Sequence, residues 1–324
     1  MKVIIPAAGI GTRLRPHTHT TPKSLLNVAG KPILGHILDN VAKMDVSEVI
    51  PVVGFFGDRI RDYVTQNYNF KTRFVDQSEL KGLGYAIHLT AEYLDDEPVL
   101  IILGDTIYEA DLSEVITDNE NAIGIREVDD PSRFGIAEMK DGYISRLVEK
   151  PENPKSNLAI VGIYYIKDTA QLVNALREII DKKITTRGEY QLTDALQIMI
   201  RNGAGLKVFN VEGWYDCGKP ETLLSTNRYL LGKLNSTPEI EGSVIIPPVY
   251  ISPKADVRES IIGPNVSIAD GAVVTKSIIK DTIIGRKSEV HQCVMDSSLI
   301  GDYAHVQMQF RKFNVGDSSE IGYS

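Results

Sequence analysis

The N-terminal stretch, residues 2–14, constrains the fold more than any other part of the chain. A short apolar run, residues 3–5, reads as a buried parallel strand and breaks at once into a loop. The loop contains four small residues: Ala7, Ala8, Gly9 and Gly11. Such a loop lets backbone N–H groups approach an anion, and Arg13, Arg15 and Lys23 follow it. The stretch therefore predicts an α/β domain whose first loop binds a polyphosphate.

Residues up to about 235 continue this α/β pattern. Apolar strands alternate with amphipathic segments to about residue 120, which indicates a parallel sheet, and residues 122–166 are richer in strands. The predicted helices cover 33–43, 59–65, 84–93, 169–180, 190–200 and 219–234. The predicted strands cover 48–53, 72–75, 98–103, 122–128, 135–139, 143–149, 159–165 and 206–211. We expect a Rossmann-like domain, residues 1–235, with a mixed and mainly parallel sheet.

The composition changes after this domain. Aliphatic residues return every five or six positions: Ile245, Ile251, Val257, Ile262, Ile268, Val274, Ile279, Ile284 and Val290. This period is typical of hexapeptide repeats, and it predicts a short left-handed parallel β-helix of about three turns or slightly more over residues 240–324. A last run, residues 306–313, is expected to form a strand that caps or pairs the open end. Subunit assembly into a homo-oligomer is the expected role of the repeats.

Composition excludes several other classes of protein. The formal net charge of -8 argues against a nucleic-acid partner. No apolar stretch is long enough to span a bilayer, so no membrane association is expected. The two cysteines, Cys217 and Cys293, form no disulfide or metal pattern, which fits a cytoplasmic location.

The N-terminal loop matches neither of two common glycine motifs. The dinucleotide fingerprint needs a third glycine where Leu14 stands, and the Walker Gly-Lys-Ser/Thr is absent from this stretch. The sequence Gly-x-Gly-Thr-Arg-Leu-x-Pro, followed by Pro-Lys, instead resembles the signature of the sugar-1-phosphate nucleotidyltransferases. That family includes glucose-1-phosphate thymidylyltransferases and uridylyltransferases. The resemblance implies a nucleotide-binding role for Ala8, Gly9, Gly11, Thr12 and Arg13, and a catalytic role for Arg13 and Lys23.

Two aspartates form the candidate metal site. Asp105 follows a buried strand, where open α/β sheets place their ligands, and Asp216 lies in Gly-Trp-Tyr-Asp-Cys-Gly. Mg²⁺ takes few protein carboxylates and completes its shell with phosphate oxygens and water. Each aspartate alone would more often be a turn residue or a helix cap. The resemblance implies that both bind a catalytic Mg²⁺ and that Asp105 also contributes to nucleotide binding.

The resemblance also implies a site for the sugar phosphate. Glu149-Lys150-Pro151 matches the family motif in which the lysine meets the sugar phosphate and the glutamate touches sugar hydroxyls, so Lys150 is a third catalytic candidate. Gly135, Val161 and Gly162 are expected beside the sugar. Arg187 is expected near the phosphate, although a salt bridge at a helix start explains it equally well.

The segment 76–86 is the candidate base-reading region. A glutamine amide can donate and accept at once, so Gln77 can match the edge of uracil or thymine, and a glycine such as Gly82 lets the backbone approach that edge. The resemblance implies that the pair selects a pyrimidine. The choice between UTP and dTTP stays open.

The expected reaction is NTP + sugar 1-phosphate → NDP-sugar + pyrophosphate, with dTTP or UTP as the nucleotide and glucose 1-phosphate as the sugar substrate. Two alternatives remain: a non-catalytic regulatory protein that binds a sugar nucleotide, and an enzyme similar to mannose-1-phosphate guanylyltransferase. An added acyltransferase in the repeats is disfavoured by their small number. No His/Cys cluster has zinc spacing, and His291 and His305 are expected to have surface or packing roles.

Overall fold

The computed structural model describes residues 1–234, 238–309, 315–316 and 318. The chain divides into two compact units, one of Met1–Leu26 with Lys31–Thr226 and one of Asn27–Gly30 with Asn227–Ser324. The predicted domain limits, 1–235 and 240–324, stay a prediction. In the described part of the chain, no helix combines the length and apolar character needed to cross a bilayer.

The first unit is built on a mixed sheet. Up to residue 216 the strands are β1 (Lys2–Pro6), β2 (Asn27–Val28), β3 (Lys31–Pro32), β4 (Glu48–Val53), β5 (Val75–Asp76), β6 (Val99–Ile102), β7 (Thr106–Glu109), β8 (Ala122–Glu127), β9 (Gly135–Lys140), β10 (Tyr143–Glu149), β11 (Leu158–Ile166), β12 (Lys207–Asn210) and β13 (Gly213–Asp216). Of these, β2 belongs to the second unit. The main sheet runs in the order β10-β9-β11-β6-β1-β4-β5, and β8 pairs with β11 and β12. Strands β6, β1, β4 and β5 are mutually parallel, whereas β11 is antiparallel to β6. The expected α/β class is confirmed.

Seven helices connect and cover these strands within the described residues: α1 (Ile33–Val41), α2 (Gly57–Asn67), α3 (Leu83–His88), α4 (Ser113–Asp118), α5 (Thr169–Asp181), α6 (Leu192–Arg201) and α7 (Pro220–Leu231). The apolar faces of α3, α5 and α6 pack in one core with the central strands, where Ile4, Ile101 and Leu196 are completely buried. Burying these faces is what holds the amphipathic segments as helices.

Several predicted limits differ from the structure. The predicted strand at 72–75 shrinks to β5, with Thr72 making only an isolated bridge to Val49. The predicted helix at 84–93 ends at His88 and is followed by a 3₁₀ turn at Ala91–Tyr93. The fully buried Thr90 donates its hydroxyl to the Ile87 carbonyl at 2.7 Å, a local bond that competes with further α-helix.

The sequence patterns do not predict α4 or the two-stranded sheet of β7 and β13. These strands have four residues each and pair antiparallel, with Asp216 opposite Thr106. Neither has an apolar alternation long enough to read as a strand. Their pairing matters because Thr106 directly follows Asp105.

The second unit contains a left-handed hexapeptide β-helix, as the repeat period predicts. Its strands are β14 (Val244–Ile245), β15 (Val249–Ile251), β16 (Asp256–Arg258), β17 (Ile261–Ile262), β18 (Val266–Ile268), β19 (Val273–Thr275), β20 (Ile278–Ile279), β21 (Ile283–Ile284), β22 (Glu289–His291), β23 (Val294–Met295), β24 (Leu299–Ile300) and β25 (His305–Gln307). They form three parallel four-stranded sheets, so the described part of the β-helix has four coils, against the prediction of about three turns or slightly more. All nine periodic aliphatic residues lie in or against its core. Of the predicted last strand, residues 310–313 lie outside the described residues, while β25 pairs with β22.

Two neighbouring isoleucines of β20 test this core. Ile279 is fully buried, whereas Ile278 is 49% exposed. We expect Ile279→Ala to lower the free energy of unfolding by about 2–5 kcal/mol because it leaves a cavity between stacked coils. The matched variant Ile278→Ala should cost less than about 1 kcal/mol. Chemical denaturation measures both, and equal losses would contradict the inward and outward assignment.

Candidate active site

Backbone hydrogen bonds to two neighbouring strands fix the loop after β1. The Ala7 N–H donates to the Val52 carbonyl of β4 at 2.8 Å, and the Gly104 N–H donates to the Pro6 carbonyl at 3.0 Å. Within the loop segment, the Thr18 hydroxyl donates to the Gly11 carbonyl at 2.8 Å. The loop therefore lies at the carboxyl edge of the parallel strands, where such sheets bind ligands.

A first cavity of about 340 Å³ opens beside this loop. Of the predicted residues, it is lined by Ala8, Gly9, Lys23, Gln77, Gly82 and Asp105. The Lys23 ammonium lies 2.5 Å from Asp105 Oδ2, and the lysine side chain is only 9% exposed. The buried Ser24 hydroxyl, also in this wall, has no hydrogen-bond partner among the described residues. A cation and an unpartnered donor in one wall suit an anionic ligand.

The far side of the first cavity holds Gln77 and Gly82. Gln77 is buried. Its backbone N–H donates to the Val53 carbonyl at 2.7 Å, and its side-chain amide donates to the Glu79 carbonyl at 3.2 Å. Gly82 has φ +105°, and a Cβ there would lie 2.5 Å from the Tyr190 carbonyl oxygen. Only glycine fits so close a backbone approach without strain. The backbone at Gly82 therefore forms its part of the wall close to Tyr190, where a side chain would not fit.

A second cavity of about 390 Å³ shares Leu83, Leu103 and Asp105 with the first. The predicted residues that line it are Arg13, Asp105, Gly135, Glu149, Lys150, Val161 and Asp216. Glu149 accepts a hydrogen bond from the Thr193 hydroxyl at 2.9 Å and lies 3.3 Å from the Lys150 ammonium. Burial and the Glu149 charge raise the pKa of the nearby Tyr164 phenol. The Thr193 hydroxyl thus orients the Glu149 carboxylate beside the Lys150 ammonium in this cavity.

The pairing of β7 with β13 brings the two predicted metal-binding aspartates together. The Cys217 N–H, next to Asp216, donates to the Asp105 carbonyl at 3.1 Å. Burial, and then the charge of Asp105, raise the pKa of Asp216, against the opposite effects of Lys23, Arg13 and Arg133. The two carboxylates are neighbours with like charges, and they offer only oxygen atoms as ligands. They therefore suit a dication that prefers oxygen ligands, such as Mg²⁺.

The charge of Arg13 acts on the same carboxylate and lowers its pKa. A Cβ placed on Gly218 would lie 2.8 Å from Asp216 Oδ1 and 3.0 Å from Arg13 Nη2. The absence of a side chain at residue 218 thus leaves room for the arginine and the aspartate to approach each other. Positively and negatively charged side chains therefore lie near one another at Asp105, which lines both cavities.

Four predicted site residues do not line either cavity: Gly11, Thr12, Gly162 and Arg187. Gly162 has φ +88°, and a Cβ there would lie 2.5 Å from the Leu103 side chain, so it positions Leu103 instead of touching the space itself. Arg187 donates from Nη2 to the Lys150 carbonyl at 2.9 Å. It is therefore close to Lys150 while remaining exposed.

Sequence reasoning misses several residues of the second cavity, among them Arg133, Phe134, Thr193 and Trp214. The Trp214 indole N–H is buried and has no hydrogen-bond partner in the part of the chain that the structure describes. The indole ring packs edge-on against Phe134, with the ring centroids 4.8 Å apart. Two signals were available in the chain. Arg133 and Phe134 directly precede Gly135, and Trp214 lies two residues before Asp216 in the same strand.

Comparison with known families and proteins gives consistent matches. The family described as "Nucleotidyl transferase" matches residues 2–233, and the family described as "GlmU-like, C-terminal hexapeptide" matches residues 233–308. The chain is 35% identical to the "Bifunctional protein GlmU" of Methanocaldococcus jannaschii, over 99% of this chain and 86% of that protein. It is 31% identical to the glucose-1-phosphate thymidylyltransferase of Streptomyces antibioticus, over 99% of each chain.

Solved structures show the same likeness. A UDP-glucose pyrophosphorylase complexed with UDP-glucose has a TM-score of 0.62 and 26% identity, covering 72% of this chain and 99% of that one. A candidate glucose-1-phosphate thymidylyltransferase from Bacillus anthracis, in complex with a sucrose, has a TM-score of 0.64 and 29% identity, covering 74% of this chain and 98% of that one.

The raised pKa of Asp216 has a consequence for stability. Near neutral pH the ionised carboxylate costs folding free energy, so in chelator-treated protein we expect Asp216→Asn to raise the melting temperature. The gain should shrink as the pH falls through the raised pKa and vanish below the ordinary value of 3.8, where Asp216 is protonated in both the folded and the unfolded state.

Asp141→Asn, in the exposed turn between β9 and β10, is the matched control and should leave the melting temperature unchanged. A destabilised Asp216→Asn protein at neutral pH would show that the aspartate is held by its cationic neighbours and not strained by its burial.

Proposed function

Because this chain belongs to the nucleotidyl transferase family, whose members include sugar-1-phosphate nucleotidyltransferases, we propose that it joins dTTP or UTP to glucose 1-phosphate and releases pyrophosphate. One observation carries this proposal: two cavities of ligand size meet at Asp105. The first has a small-residue loop and a buried lysine, and the second has Glu149 and Lys150. A nucleotide in the first cavity and a sugar phosphate in the second would lie next to each other at Asp105, where charged side chains cluster.

The chemistry needs little from the protein beyond position and charge. A phosphate oxygen of glucose 1-phosphate is already anionic near neutral pH, so no general base is required. It attacks the α-phosphorus, a new P–O bond forms, and the bond from the α-phosphorus to the bridging oxygen of the leaving pyrophosphate breaks in line. Catalysis then depends on orientation and on neutralising the phosphate charge.

We assign the triphosphate to the loop side. The backbone of Ala8 and Gly9 would face the phosphates, with Gly11 and Thr12 shaping the loop behind them. Arg13 and Lys23 would neutralise the triphosphate and the departing pyrophosphate. This assignment is supported by the buried position of Lys23, and by the nearness of Arg13 to Asp216.

The sugar phosphate belongs to the second cavity in this proposal. Lys150 would hold the attacking phosphate, and Glu149, oriented by Thr193, would accept from sugar hydroxyls. Gly135 and Val161 line the same space. Arg187 would act through its bond to the Lys150 carbonyl, and Gly162 through the placement of Leu103.

Asp105 and Asp216 would hold Mg²⁺. Bound there, the ion would supply positive charge to the phosphate oxygens. The protein's own part is to keep two carboxylates adjacent through the β7–β13 pair, and to hold Lys23 and Arg13 beside them. Removing Asp105 would leave Lys23 without its ion-pair partner.

Turnover tests these roles directly. We expect Asp105→Asn and Arg13→Ala each to lower kcat by at least about 100-fold, since each removes charge that acts on the reacting phosphates. Coupled measurement of pyrophosphate release gives the rates. Asp141→Asn should keep the wild-type rate, and a near-normal rate for Asp105→Asn would refute the metal assignment.

Gln77 and Gly82 would read a pyrimidine base. We expect Gln77→Ala to lower kcat/KM for dTTP and UTP by roughly 10–100-fold, the loss of one or two hydrogen bonds to the base, with smaller effects on purine nucleotides. An equal loss for all four nucleoside triphosphates would mean that Gln77 supports the cavity wall and does not read the base.

A matrix of nucleoside triphosphates against sugar 1-phosphates identifies the substrates. We expect the fastest pyrophosphate release with dTTP or UTP and glucose 1-phosphate. Preference for GTP with mannose 1-phosphate would favour the guanylyltransferase alternative. Tight binding of a sugar nucleotide without turnover in any combination would favour the regulatory alternative. The homo-oligomeric state and the cytoplasmic location stay predictions, and light scattering during size exclusion tests the first.

A further inference from the structure

The two histidines of the β-helix lie together with a glutamate on its surface. Glu289 and His291 belong to β22, and His305 belongs to β25, the next strand of the same parallel sheet. Val290, between the first two, is completely buried, so Glu289 and His291 both face outward. The register places His305 directly beside Glu289. Stacking of successive coils thus builds a cluster from residues 16 positions apart.

The donor atoms of this cluster have the spacing of a metal site. Glu289 Oε2 lies 3.1 Å from His305 Nδ1 and 3.6 Å from His291 Nε2, and one donor atom from each residue lies within 4.8 Å of the others. Two ligands at about 2.1 Å from a tetrahedral zinc are themselves roughly 3.4 Å apart. The two measured distances lie on either side of that value.

Thr275 supports the same arrangement from the strand below. Its hydroxyl lies 2.8 Å from His291 Nδ1, so the other ring nitrogen, Nε2, faces Glu289. A metal-binding imidazole is commonly oriented by a hydrogen bond at its second nitrogen. A hydroxyl oxygen that accepts from Nδ1–H leaves the lone pair of Nε2 for a metal.

We propose that Glu289, His291 and His305 bind one divalent transition-metal ion. Two imidazoles and one carboxylate suit zinc and its neighbours, and they do not suit Mg²⁺ or Ca²⁺, which prefer oxygen ligands. The two ring centroids lie 5.6 Å apart, and the donor atoms are close enough together for one dication to bind both rings and the carboxylate. The ion would join β22 to β25 and so fasten the last described coil to the one before it.

Zinc titration of protein without a histidine tag tests the site. Millimolar Mg²⁺ is present throughout to occupy oxygen-rich sites, and a chromophoric chelator reports free Zn²⁺. We expect one equivalent of Zn²⁺ to bind, and His305→Ala, His291→Ala and Glu289→Gln each to weaken binding at least about tenfold. The matched control Glu259→Gln, which removes another exposed carboxylate of the β-helix, should bind as the wild type does.

Two further readouts separate metal binding from simple damage to the fold. Zn²⁺ should raise the melting temperature of the wild type and not that of His305→Ala. Co²⁺ should give visible absorption bands that the same variant lacks, while nucleotidyl transfer with Mg²⁺ keeps its wild-type rate. The proposal is overturned if the three variants bind Zn²⁺ as the wild type does, or if Asp216→Asn abolishes the binding.

Discussion

The structure depends on the close approach of two carboxylates and several cations at one edge of a sheet. Burial, and then the like charge of Asp105, raise the pKa of Asp216. Lys23 and Arg13 offset part of that effect. Such an arrangement is poor for stability alone. It is suited to ligands that carry dense negative charge together with a dication.

Much of this arrangement follows from the sequence, because it depends on short-range signals. The strand Lys2–Pro6, its small-residue loop and the following cations are contiguous, and parallel strands place their carboxyl ends at one edge. The position of Asp105 follows for the same reason. The β-helix is predictable because its period is set by the geometry of one coil, and residues such as Ile262 and Val274 are buried accordingly.

The rest depends on pairings that no local pattern specifies. Thr106 of β7 and its partner Asp216 of β13 are 110 residues apart in the sequence, and only the pairing of these short strands brings Asp216 to the site. Trp214, which lies in β13, enters the second cavity through the same long-range pairing. His291 and His305 have no metal spacing along the chain, and they meet only because one coil stacks on the next.

Electron paramagnetic resonance with Mn²⁺ in place of Mg²⁺ tests the central claim most directly, because it detects the ion at the two aspartates without requiring turnover. The account predicts that Mn²⁺ binds tightly when nucleotide is present, and that Asp105→Asn and Asp216→Asn each lose most of this signal. Unchanged Mn²⁺ binding in both variants would contradict it.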